Sequence, residues 1–218
     1  RSLYSHVGVI LNASMFYYLY SDKQAISLVS GIDGSGVPQY VVDTSDEEAW
    51  GIDAEARWQP YDHVTLYANL AFIDATYQDK VTRGDHPVDL SGEPTGEPYL
   101  SAALGASYIW GLDAYGDLDL SGRSAFRGVT RCNADAPRQS AWQLSPNFEV
   151  GESQQRLDLR LAWSSDDQRW GAAVFVTNLL DDQTVTGVNN LTTDTFGTPF
   201  ASISEPRQWG VELSVTFR

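Results

Sequence analysis

Cys132 is the only cysteine among the 218 residues, so no intrachain disulfide framework and no paired-cysteine metal or redox motif can exist. A loop thiol without a role is the plain reading. No stretch approaches the ~20 consecutive apolar residues of a membrane-spanning helix. Basic residues are scarce too, with 14 Lys and Arg against 29 Asp and Glu and a formal net charge of −15. That balance opposes non-specific binding to nucleic-acid phosphates. The 3 histidines, His6, His63 and His86, share no ligand spacing with one another or with Cys132, so no metal site is expected. The first residues, Arg1-Ser2-Leu3-Tyr4, lack a basic segment followed by an apolar run, so any export signal is expected outside this sequence.

What the chain has is alternation. Trp209, Val211, Leu213, Val215 and Phe217 fall on one side of a strand and Gly210, Glu212, Ser214 and Thr216 on the other, because side chains alternate across a strand. In Trp50 to Trp58, the residues Trp50, Ile52, Ala54, Ala56 and Trp58 oppose Asp53, Glu55 and Arg57. Leu118, Leu120 and Phe126 likewise oppose Asp117, Asp119, Arg123 and Arg127, and Leu157, Leu159, Leu161 and Trp163 oppose Asp158 and Arg160. Charges in mid-strand exclude a doubly buried parallel sheet. The mean hydropathy of −0.29 does not exclude a membrane, because every second residue of a transmembrane barrel strand faces a polar lumen.

The patterning predicts β-rich stretches at about Val7 to Leu28, Tyr40 to Gln59, Val64 to Tyr77, Tyr99 to Trp110, Tyr115 to Arg127, Arg156 to Ser164, Trp170 to Thr177 and Arg207 to Phe217. Tight links sit at Gln59 to His63, Gly111 to Ala114 and Ser165 to Gln168. Long ones run from about Gly31 to Ala49, overlapping the second stretch, and from Asp79 to Pro98, Gly128 to Gln155 and Leu179 to Pro206. Strict alternation of short and long connections is what an outer-membrane barrel shows, with short periplasmic turns and longer extracellular loops. Trp58, Tyr61, Trp110, Trp163, Trp170 and Trp209 are expected near the tight-turn ends, as one girdle at a membrane–water boundary. The fold class is therefore all-β, an antiparallel transmembrane β-barrel.

Catalytic patterns are weak. Asp53 with Glu55, and Asp117 with Asp119, have a spacing that paired-carboxylate hydrolysis could use. The nearby Arg57 and Arg123 favour ion-paired residues on a wet inner wall instead. Asp46-Glu47-Glu48 and Asp181-Asp182 carry oxygen ligands suited to Ca²⁺ without an EF-hand spacing, and read as solvated acidic loops. Gly31 to Gly36 lacks the Lys-Ser/Thr of a phosphate-binding loop. No nucleophile-elbow or zinc-protease motif occurs. No catalytic residue and no cofactor are expected.

Four segments together carry a family likeness: Met15 to Gln24 (MFYYLYSDKQ), Trp50 to Glu55 (WGIDAE), Val176 to Asp182 (VTNLLDD) and Glu205 to Leu213 (EPRQWGVEL). In order and spacing they resemble the C-terminal part of a TonB-dependent outer-membrane receptor barrel, over essentially the whole chain. One departure is Arg218, which follows Phe217 where that family ends on an aromatic residue. The resemblance implies a bacterial outer-membrane location, with residues 1–218 as the C-terminal barrel segment and a plug domain absent from them. It further implies TonB-coupled uptake of a ferric siderophore or similar large nutrient, with the TonB complex acting through the plug. If that barrel has about 22 strands, eight are only about a third of it. Loop position and residue type make Tyr40, Trp142, Phe148, Phe196 and Phe200 the expected ligand contacts. Two other readings stay open. One is a self-contained eight-stranded barrel with a structural, adhesive or small-pore role; the other is a soluble extracellular β-sandwich that binds or hydrolyses a ligand.

Overall fold

The computed structural model describes residues 8–29, 39–83, 87–136, 151–189 and 200–217. Their strands are β1 (Gly8–Val29), β2 (Gln39–Tyr61), β3 (Val64–Asp79), β4 (Leu100–Gly111), β5 (Asp117–Arg127), β6 (Gln154–Ser164), β7 (Trp170–Thr177), β8 (Val185–Asn189), β9 (Phe200–Ile203) and β10 (Gln208–Val215). Eight form one sheet in the order β1-β2-β3-β4-β5-β6-β7-β10, and every neighbouring pair is antiparallel. These are the stretches expected from the alternation. The β8–β9 hairpin inside the last long connection was not expected, and β2 begins well inside the span read as the first long connection.

The sheet ends at β1 on one side and β10 on the other, with no ladder joining them. This corrects the self-contained barrel: eight strands with two open edges cannot satisfy their backbone groups in lipid by themselves. The sandwich reading fails for a different reason. No large side chain is fully buried among the described residues, and Leu213 is 82% exposed while Ile52, Leu120 and Leu159 are also exposed. A sandwich would turn those residues onto a second sheet.

The exposed apolar face carries aromatic residues at two levels. Trp58, Tyr61, Tyr108, Trp110, Trp163 and Trp170 lie towards the tight turns. Tyr17 pairs with Trp50, Trp50 packs on Phe72 and Phe72 stacks on Tyr99 at the long-loop end. Trp209 belongs to this second group, since it pairs with Val176 beside the long connection after β7. The single girdle is thus corrected to two. From Trp50 to Trp58 the strand runs roughly 27 Å, or roughly 20 Å along the membrane normal after a barrel tilt of ~40°, close to the apolar band of such barrels.

Local chemistry closes the short end. Between β4 and β5 the chain makes one 3₁₀ turn, Asp113–Tyr115, and Gly116 has φ +90 with a Cβ position that would strike the Ser164 carbonyl. Only glycine fits there. Between β6 and β7, Ser165 Oγ donates to Asp167 Oδ1 (2.7 Å) and the Arg169 N–H donates to the same oxygen (3.1 Å). Those two bonds hold the Asp167 carboxyl below its usual range, the serine contributing most. Above the membrane band, β1 and β2 extend well past their neighbours as one hairpin, with a register shift between Tyr20 and Lys23.

Candidate functional site

Registers place most of the charged strand residues on one face, with Glu48 and Asp74 at the long-loop end on the other. Asp53 aligns with Ala71, Ser101 and Arg127 in one row across β2 to β5, and Glu55 with Asn69, Ala103, Ala125 and Arg156 in the next row across β2 to β6. These residues line a hollow of about 700 Å³. The paired carboxylates Asp53 and Glu55 are therefore brought together on the inner wall, but the expected ion pairs with Arg57 and Arg123 do not form among the described residues. Glu55 instead accepts from Asn12 Nδ2 at 2.5 Å. The reason is register: Arg57 and Arg123 occupy a different row, with Tyr67 and Gly105 between them. Ion pairs form lower down and farther along, between Arg160 and Glu212 and between Arg156 and Asp158 (2.9 Å). Asp119 Oδ1 is buried without a partner among the described residues.

Aromatic residues on the same face were missed in the sequence. Phe16, Tyr18 and Tyr20 form a ladder along β1, with ring centroids 5.1 and 5.9 Å apart, and Lys23 Nζ lies 5.7 Å from the Tyr20 centroid. A cation at that distance is attracted to the ring face. Phe16 covers Gly51 of β2, Tyr67 covers Gly105 of β4 and Phe175 covers Gly210 of β10, so that a Cβ at any of these glycines would strike the ring. A ring laid over a strand glycine restores the packing surface that the glycine lacks and pins the register. The signal was present in the alternate aromatics at 16, 18 and 20, but only pairing with β2 reveals which side they face.

At the long-loop end the acidic run 46–48 lies within β2, not in a loop. Glu47 is buried, accepting from Lys23 Nζ (2.6 Å) and Ser45 Oγ (2.9 Å), and Asp43 meets Lys80 (3.0 Å) and Arg83 (3.2 Å). Asp181-Asp182 are likewise structural. Asn178, 3% exposed, stands at φ +50 and donates from Nδ2 to the carbonyls of Asp182 and Glu205, both at 3.0 Å. Its Oδ1 accepts from the Asp182 N–H (3.1 Å) and its own N–H reaches Asp158 Oδ1 (2.8 Å). Asp181 Oδ1 accepts from the Arg207 N–H (2.8 Å), the main cause of its lowered pKa, with Gln183 and the Arg207 charge assisting. Two motifs far apart in sequence thus form one clamp that ties β6, β7 and the entry to β10.

Of the expected ligand contacts, Tyr40 lies in β2 on the projecting hairpin and is 77% exposed. Phe200 opens β9, paired with Asn189. Trp142, Phe148 and Phe196 lie outside the described residues, as do His6, His86 and the segment 31–36. Cys132 is exposed in the irregular segment after β5. Among the described residues no group of three or more His, Cys, Asp and Glu side chains is arranged to hold a metal ion.

Comparison with known proteins gives a consistent result. The family model described as TonB dependent receptor-like, beta-barrel, matches residues 3–179. Among solved structures, the ferric yersiniabactin uptake receptor FyuA from Yersinia pestis is similar with TM-score 0.65 at 17% identity, over 96% of this chain and 28% of that one. The outer membrane transporter YddB from Escherichia coli is similar with TM-score 0.61 at 14% identity, over 96% of this chain and 30% of that one. FpvAI, in its complex with pyocin S2, gives TM-score 0.57 at 19% identity, over 94% of this chain and 24% of that one. The chain thus spans less than a third of the length of these structures. A comparison with curated proteins gives no match.

Proposed function

From the premise that this chain belongs to the TonB-dependent receptor β-barrel family, a family of the bacterial outer membrane, we propose that residues 1–218 form the C-terminal barrel segment of an energy-coupled uptake receptor. Its cargo is a ferric siderophore or a similarly large nutrient, and its partners are outer-membrane lipid and the TonB complex, the latter reached through a plug domain. The protein moves its cargo without chemically converting it. The observation that carries this reading is the division of one sheet into an apolar outer band between two aromatic belts and an inner wall of charged and aromatic groups. The uptake activity named for FyuA supports the choice of cargo class. The Phe16, Tyr18 and Tyr20 ladder is the inner surface that meets cargo, with Tyr40, Phe200, Trp142, Phe148 and Phe196 as further contacts.

Complementation tests this. In a strain lacking the full-length receptor, its return should restore TonB-dependent growth on one ferric siderophore among a panel under iron limitation. Replacing both Tyr18 and Tyr20 by Ala should lower uptake by about tenfold, with the barrel assembled normally. Deleting Thr192 to Ala201 should weaken ligand binding without stopping assembly. Growth that is independent of TonB on every nutrient tested would overturn the proposal.

A further inference from the structure

The outer face of the sheet is not evenly filled. Pairing sets Ile52, Phe72 and Leu100 in one row towards the long loops, and Tyr108, Leu120 and Leu161 in another towards the tight turns. Both rows are large throughout. Between them, Ala56 pairs with Ala68 across β2 and β3, and Ala106 pairs with Gly122 across β4 and β5 in the next row. The result is a trough of about 530 Å³, walled by Trp58, Leu66, Leu104 and Leu157. Tyr67, Gly105 and Arg123 border it only from the row between, whose side chains turn to the inner wall. Leu104 stands 61% exposed beside the floor, and Trp58 closes the end nearest the tight turns.

We infer that this trough holds one acyl chain of a membrane phospholipid as a lasting ligand. The outer band of an outer-membrane barrel faces hydrocarbon, so an apolar hollow in it fills with hydrocarbon: water finds no polar partners there, and an empty trough forfeits the dispersion contacts of its walls. A chain on a flat face touches protein on one side only. In the trough it touches the floor and both walls, and stays longer. Trp58 sets the direction, because an indole at a membrane boundary lays its ring against hydrocarbon and donates its N–H to a polar group, here a glycerol-ester carbonyl. Charge selects the lipid class. In the outer-face rows from Ile52 to Leu161 no Lys or Arg occurs among the described residues, so a glycolipid with several phosphates finds no counter-charge. The inference needs the membrane location and not the identity of the cargo.

The test uses the full-length receptor, extracted from outer membranes in mild detergent and measured by native mass spectrometry. At collision energies that strip the detergent, the parent should keep one adduct with the mass of a phospholipid. Filling the floor with A68L/A106L should remove that adduct, whereas A172L, on the same face beside Trp163 and Leu213 and outside the trough, should leave it. Heat-modifiable gel migration verifies a folded barrel; where the double variant does not assemble, A106V takes its place, with the adduct reduced rather than lost. A parent without an adduct, an adduct with the mass of a phosphorylated glycolipid, or equal retention in parent and filled variant each overturns the inference. Loss from A172L as well also overturns it, because the lipid is then not held by the trough.

Discussion

The two ends of this sheet are held by different means. At the tight-turn end each connection is closed mainly by residues a few positions apart, as in Ser165, Asp167 and Arg169, with Trp163 Nε1 adding one longer tie to the Tyr115 carbonyl (2.7 Å). At the long-loop end the ties join distant parts of the chain. Asn178 reaches Glu205, and Arg131 reaches Asp74 (2.6 Å), the Ala75 carbonyl (2.8 Å) and the Glu97 carbonyl (2.9 Å) while lying 4.1 Å from the Tyr99 ring centroid. A short turn needs only the right local residues. Long connections carry a larger closure entropy, and long-range clamps at their bases hold the strand ends together against it. The long-loop end can therefore vary its loops without loosening the strands beneath.

The sharpest way to break this contrast is Asn178→Ala. It deletes a buried amide, leaves the Asp182 and Glu205 carbonyls without their donor, and puts alanine at a positive φ, for a cost of about 2–4 kcal/mol. Urea titration of the detergent-solubilised receptor measures it. Arg131→Ala should cost about 2 kcal/mol by leaving Asp74 unpaired and exposing the Phe72–Tyr99 stack, and limited proteolysis should show earlier cleavage in the segment 92–98. Gly51→Ala tests the middle of the sheet, where the new Cβ meets both the Phe16 ring and the Phe72 carbonyl. It should cost about 1–2 kcal/mol, recovered in part by Phe16→Leu, which clears the ring.

The smallest effect is expected at the tight-turn end, from Asp167→Asn. The folded-state pKa of Asp167 is lowered, so its contribution is fully present above the unfolded carboxyl pKa and is lost as pH falls through the folded value. The variant should therefore be less stable than the parent at pH 7, and the two should converge in acid. Asp181, lowered by Arg207 at the other end, should behave with the same sign. A difference for Asp167→Asn that grows as pH falls would contradict the assigned hydrogen bonds.

Strand positions, faces and the alternation of connections were legible because each depends on residues one or two positions apart. The family motifs were legible as strings, but the purpose of Asn178 and Asp181 was not. Their partners sit at 158, 205 and 207, and the acidic pair therefore read as a solvated loop. Trp209 was assigned to the wrong belt for a related reason: its strand begins at the long-loop end, and membership of a belt depends on which end of β7 it meets. Asp53 and Arg57 looked paired because they are close in sequence, whereas the sheet sets each in its own row.

By itself the sequence determined that this chain makes amphipathic strands joined alternately by short and long links, since period-two patterning and turn chemistry are local properties. Tertiary structure alone decided that the eight strands do not close, that Asp53, Arg57 and Arg123 fall in rows where they do not pair, and that two distant motifs form one clamp. These features depend on register between strands, and register is a relation between residues that the chain brings together only on folding.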